Sequence, residues 1–95
     1  MTTSRMTVAE LHKKFAYDPE SGELMQRMAK GRLRVVGTIH DAGHLSVRPL
    51  GRVCLVHVIA WALHYGAYSE VPITHINRDK ADNRIVNLRP RYKIE

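Results

Sequence analysis

From Thr74 to Arg89 the chain runs Thr-His-Ile-Asn-Arg-Asp-Lys-Ala-Asp-Asn-Arg-Ile-Val-Asn-Leu-Arg, so a single imidazole, His75, stands among amide, carboxylate and guanidinium side chains. An imidazole titrates near neutrality and can take a proton from water. The chemistry this set suits is phosphodiester hydrolysis. A histidine deprotonates the attacking water, while a divalent metal polarises the phosphate and stabilises the departing oxyanion. Such a base is oriented through its second ring nitrogen by a backbone carbonyl or an amide side chain. Asn77, Asp79 and Asp82 have the short polar side chains that close turns onto nearby backbone, and Asn83 and Asn87 belong to the same set. Arg84 and Arg89 either grip phosphates or pair with Asp79 or Asp82. His75 also has a plainer reading, as a ring that packs and hydrogen-bonds inside its loop.

A second set sits upstream. His57, Trp61 and His64 fall at i, i+4 and i+7, on one face of a predicted helix. That spacing invites a metal or stacking role, but such a face more often packs, with Trp61 as its core anchor. Cys54, the one cysteine, has no internal partner and reads as a small core residue. Fifteen Lys and Arg against nine Asp and Glu give a formal net charge of +6, which favours a polyanionic partner, nucleic acid first. Arg27, Lys30, Arg32 and Arg34, with Arg48, Arg52, Arg84, Arg89, Arg91 and Lys93, are the candidate phosphate-tracking face. Any one of them is also an ordinary solvated cation, so clustering in space decides between the two. The longest apolar-rich run, Val53 to Leu63, contains His57 and is too short to span a bilayer, which argues against a membrane partner. No export signal is expected from the N-terminus.

The elements that position these residues follow from local pattern. Ninety-five residues make one domain, 1–95, with a modest core. Thr7 to Phe15 reads as a helix, capped by Thr7 with Glu10 three residues on. Asp18 to Gly22 is a turn, Glu23 to Met28 a strand, and the basic run Arg27 to Arg34 a surface loop. Val35 to His40 and His44 to Val47 are strand-like, separated by a turn at Asp41-Ala42-Gly43. After a turn at Pro49-Leu50-Gly51, Val53 and Leu55 form a third strand. The pattern then becomes helical through Val56, Ile59, Ala60 and Leu63, ending near Gly66. A loop through Pro72 leads to the His75 segment. The class is α+β, with small antiparallel β-ribbons and a central helix, in the parts 7–34, 35–66 and 67–95.

His75, Asn77, Asp79, Asp82-Asn83-Arg84 and Asn87-Leu88 match in identity and spacing the pattern of the phage-type His-Asn-His (HNH) endonuclease family, which this stretch resembles. Gly51 to Trp61 is similar to the strand-into-helix passage of that family, with Val58 where a basic residue is common. Tyr17 to Leu24 resembles a segment that often precedes the domain in small phage proteins. The resemblance implies a ββα-metal-like domain in which His75 is the general base and Asn87 ties the two arms of the loop and holds the base in place. It also implies a metal site this chain does not reproduce. Thr74 stands where the family has an aspartate, and a neutral hydroxyl is a poor substitute for a hard anionic oxygen. The helix carrying the second ligand would fall past Glu95, so that metal-site helix is expected to be truncated. Asp79, Asp82 or the terminal carboxylate are left to compensate. The expected metal ligands are none, and no cofactor is expected unless the protein cuts, in which case the ion is Mg, Mn or Zn.

Three functions are compatible with these features. The first is a phage-encoded, catalytically impaired HNH-like protein that binds double-stranded DNA through a basic surface in the cytoplasm of a bacterial host. The second is an active, metal-dependent nicking endonuclease with His75 as general base. The third is a phage inhibitor that obstructs a host nucleic-acid machine or defence complex by protein-protein contact.

Overall fold

The structure, a computed structural model, describes residues 6–91. Lys93 of the basic set and the carboxylate of Glu95 lie outside the described residues. The first helix, α1 (Val8–Lys14), starts where the Thr7 hydroxyl accepts from Glu10 N and the Glu10 carboxylate accepts from Thr7 N, the reciprocal cap its sequence encodes. At Phe15 the backbone turns extended, and β1 (Phe15–Tyr17), β2 (Leu24–Arg27) and β3 (Leu33–Val36) pair antiparallel in that order. Three residues are too few to show alternation, so β1 merged into the helical pattern of the sequence.

The basic run expected as a loop is a hairpin instead. Arg27 pairs with Leu33, and the turn between them is closed by Met28 N donating to Arg32 O. Lys30 and Gly31 take left-handed φ values of 62° and 76°. Leu33 and Val35 are half exposed and Val36 alone of β3 packs on the core, so the strand shows little burial pattern in sequence. Its order comes from the backbone ladder, which leaves no side-chain signature.

Gly37, at φ 126°, breaks the predicted strand 35–40 in two. Beyond it β4 (Thr38–Ile39), β5 (Leu45–Val47) and β6 (Cys54–Leu55) form a second antiparallel sheet in that order. β6 runs straight into α2 (Val56–Tyr65), which ends at Gly66 in the left-handed region, its N–H donating to Ala62 O. Leu11, Phe15 and Leu24 meet Val56, Ile59, Ala62 and Leu63 of α2 to make the core. Trp61, expected as its anchor, is not part of that cluster; it is half-buried and stacks on Tyr65 with ring centroids 4.3 Å apart. Finally β7 (Ile73–His75) pairs antiparallel with β8 (Leu88–Pro90), His75 opposite Leu88 and Thr74 opposite Arg89. The result is a small α+β arrangement. Among the described residues no helix is long and apolar enough to cross a membrane.

Candidate active site

His75 closes β7, and the loop 76–87 folds back over it. Its Nε2–H donates to Asn83 Oδ1 at 2.7 Å, and both residues are buried. An amide oxygen only accepts, so the ring's Nε2 is the donor in this bond. The orienting amide is therefore that of Asn83. Asn87 does the other part of the expected work, tying the two arms of the loop. Its Oδ1 accepts from Asn77 N at 2.9 Å, and its Nδ2 donates to Asn77 Oδ1 at 2.9 Å and Asp82 O at 2.8 Å. Sequence spacing cannot tell the two amides apart, because each reads as a turn former and only the fold aims one at the imidazole.

The remaining polar residues close turns as their types suggest. Asn77 Oδ1 accepts from Asp79 N, and Asp79 Oδ1 accepts from Ala81 N. Asp82 receives both Arg84 Nε at 2.8 Å and Arg84 Nη2 at 2.7 Å, with Asn77 Nδ2 at 2.9 Å. The Arg84 guanidinium beside it, aided by the Asn77 amide, holds the Asp82 carboxyl well below the usual carboxylate range.

The N-terminal turn buttresses this loop. Tyr17 OH donates to Asn83 O, and Ile85 N donates to Pro19 O at 3.0 Å. Burial first, then the charge of Asp18, pushes the Tyr17 hydroxyl up, so it stays a donor. Gly22, at φ 82°, lies so close to the loop that a Cβ there would stand 2.4 Å from Arg84 N and 2.6 Å from the Asn83 carbonyl carbon. Thus the residue that orients His75 is held from a segment more than fifty positions away in the chain.

Two further histidines surround the ring. His57, from the first turn of α2, lies 4.9 Å from His75 by ring centroids, and His44, just before β5, lies 5.2 Å from His57 and 6.0 Å from His75. Burial, then His75 and His44, lowers the His57 pKa to about 4, so it is neutral at physiological pH. Among the described residues, the buried side-chain N and O atoms without a hydrogen-bond partner are His57 Nδ1 and Asn83 Nδ2, and both belong to this cluster. Unsatisfied buried polar atoms are rare, and they gather at functional sites. His64, expected on the same face as His57, does not join. It sits edge-on to Tyr65 at 4.7 Å and Tyr17 at 6.4 Å. His44 had no spacing signal in the sequence.

A divalent cation, implied by the resemblance, does not fit this donor set. The groups at His75 are imidazoles and an amide; hard cations need carboxylate oxygens. Asp82 is committed to Arg84 and Asn77. Imidazoles suit softer metals, but no group of three His, Cys, Asp or Glu among the described residues is arranged to hold one.

The basic residues are spread over several elements. Arg34 and Arg48 line the same cleft, while Arg52 lines a different, apolar one with Val53 and Tyr68. Lys30 and Arg32 sit in the β2–β3 turn, and Arg27 Nε donates to His12 O at 2.8 Å. Arg84 is committed to Asp82, Arg89 lies exposed on β8, and Arg91 N donates to Pro72 O at 2.7 Å.

No curated protein and no solved structure matches the chain. A family model does, described as HNH endonuclease, and its match begins at β6, runs through α2 and His57, and takes in the whole His75 loop to Arg91. Over residues 54–91 this chain is similar to the HNH endonuclease family.

Proposed function

We propose that this chain is an HNH-type protein that holds double-stranded DNA through basic side chains and is impaired in metal-dependent cleavage, with β7 and β8 as the strands of a ββα-metal unit. The observation that carries the reading is the donor set at His75. The ring is oriented as a general base would be, yet the side chains around it are two imidazoles and an amide, and Thr74 brings only a hydroxyl. Asp82, a carboxylate of the same loop, is paired with Arg84. Positioning for proton transfer is thus retained while the means of holding an ion is not. The test is anisotropy of a labelled DNA duplex in a chelator across a salt series. Binding without metal, with log affinity falling steeply against log salt, is expected. No binding, or affinity indifferent to salt, removes the reading.

A second reading, an active nicking endonuclease, is favoured by the Asn83 hydrogen bond that orients His75. It expects nicks in supercoiled plasmid with magnesium, manganese or zinc that vanish in His75→Ala. If the wild type is silent and Thr74→Asp gains nicking, the first reading gains instead. A phage origin, action in a bacterial cytoplasm, and contact with a host protein complex have only the family resemblance and the altered site behind them. A partner retained from host lysate after nuclease treatment supports the last.

A further inference from the structure

The inner face of the first sheet changes character along its length. Tyr17, Leu24 and Val36 share that face by register and pack on the core; one step further along β2 and β3, Gln26 and Arg34 take the same side. Gln26 is half-buried there and Arg34 exposed, so both polar ends stay within reach of water or of a ligand. They line a cleft of about 530 Å³, together with Lys14 at the end of α1, Thr38 of β4, Ser46 of β5, and Arg48 just beyond it. No carboxylate lines it among the described residues, where Lys14, Arg34 and Arg48 have no ion pair. Ser46 presents its hydroxyl to this lining. Three uncompensated cations converging with hydroxyls and an amide form a set complementary to phosphate oxygens, and the volume lies in the range of small-ligand sites, about 300–1,000 Å³.

We propose that this cleft binds the phosphate of a nucleotide unit. On the reading that the chain holds DNA, on which this source depends, it is a backbone phosphate of the same duplex that lies at His75. β5 joins the two places, with His44 before it and Arg48 after it. Four residues at roughly 3.3 Å each set the two about 13 Å apart.

The test compares two charge-matched triple variants by anisotropy on a labelled duplex over a salt series. One is Lys14→Gln, Arg34→Gln, Arg48→Gln in the cleft; the other is Lys13→Gln, Arg78→Gln, Lys80→Gln outside it. The cleft variant is expected to lose about 2 to 3 units of the log–log salt slope and more than about tenfold in affinity at low salt, the other at most about one unit. In a second arm, inorganic phosphate and a nucleoside monophosphate are tested for thermal stabilisation. Stabilisation of the wild type but not of the cleft variant, without duplex binding, leaves the cleft standing with a free nucleotide as its source and removes the DNA reading. Equal losses in the two variants overturn the cleft and leave DNA binding intact. Response to neither duplex nor nucleotide overturns both. If the cleft variant binds DNA normally but self-associates on sedimentation, Arg34 guards the open edge of β3 and the cleft proposal is overturned.

Discussion

A histidine enclosed by two other histidines and by the core carries charge only at a cost. His57 is 5% exposed and its pKa is lowered from 6.5 to about 4, by burial first and then by His75 and His44. A folded pKa below the unfolded one means the unfolded chain binds the extra proton first. The stability tied to His57 is therefore full above about pH 6.5 and is lost progressively as pH falls toward 4. The expected loss from pH 7.5 to pH 5 is about 2 kcal/mol, read from urea unfolding at the two pH values. His57→Gln should flatten that difference relative to wild type. An unchanged difference in the variant would show that the pH sensitivity lies elsewhere. At this scale the sequence supplied the residue types but not their partners. By spacing His57 groups with Trp61 and His64, four and seven positions on along one helix, whereas its neighbours include His44 and His75 from other elements.

At the scale of elements, the N-terminal hairpin and the His75 loop behave as one clamp. Tyr17, Pro19 and Gly22 all touch Asn83 to Ile85, and Asn83 in turn fixes His75. Gly22→Ala forces a positive φ on a residue with a Cβ and drives that carbon into the Asn83–Arg84 backbone. A loss of at least about 2 kcal/mol in denaturant is expected, with faster amide exchange at Arg84 and Ile85 than at the core of α2. Exchange that rises evenly through the chain would argue against a local clamp. The turn itself was visible in Asp18-Pro19-Glu20-Ser21-Gly22, as were the Thr7 cap and the Gly66 stop, because each is written in a few consecutive residues. β3 was legible only at Val35 and Val36, inside the expected strand 35–40, since its exposed Leu33 and Val35 give no alternation of buried and exposed positions.

For the whole molecule, stability rests on few side chains. Leu11, Phe15 and Leu24 bind the N-terminal elements to Val56, Ile59, Ala62 and Leu63 of α2, and α2 also delivers His57 to the site. Ile59→Ala should cost about 2–5 kcal/mol in chemical unfolding, against a total of roughly 5–15 kcal/mol for a domain of this kind. Near-UV and far-UV signals should move together to lower denaturant, because the same helix supports core and site. Separate transitions would mean that the His75 loop is stabilised independently of the core. The net charge of +6 belongs to this scale too. Its sign was plain in the composition, but only the fold shows Arg34 and Arg48 sharing a cleft while Arg84 is spent on Asp82.

The sequence by itself determined the α+β class, the caps and turns, the helix 56–65 within its predicted bounds, and the HNH-family character of the His75 segment. These are local quantities, set by hydrogen bonds between residues a few positions apart and by periodicity within one element. Tertiary structure alone decided that Asn83 rather than Asn87 meets the imidazole, that three histidines converge, and that Trp61 lies outside the core. It alone also opened a basic cleft between two small sheets. Each of those depends on which segments are brought together across long separations, and residue spacing along the chain carries no record of that distance.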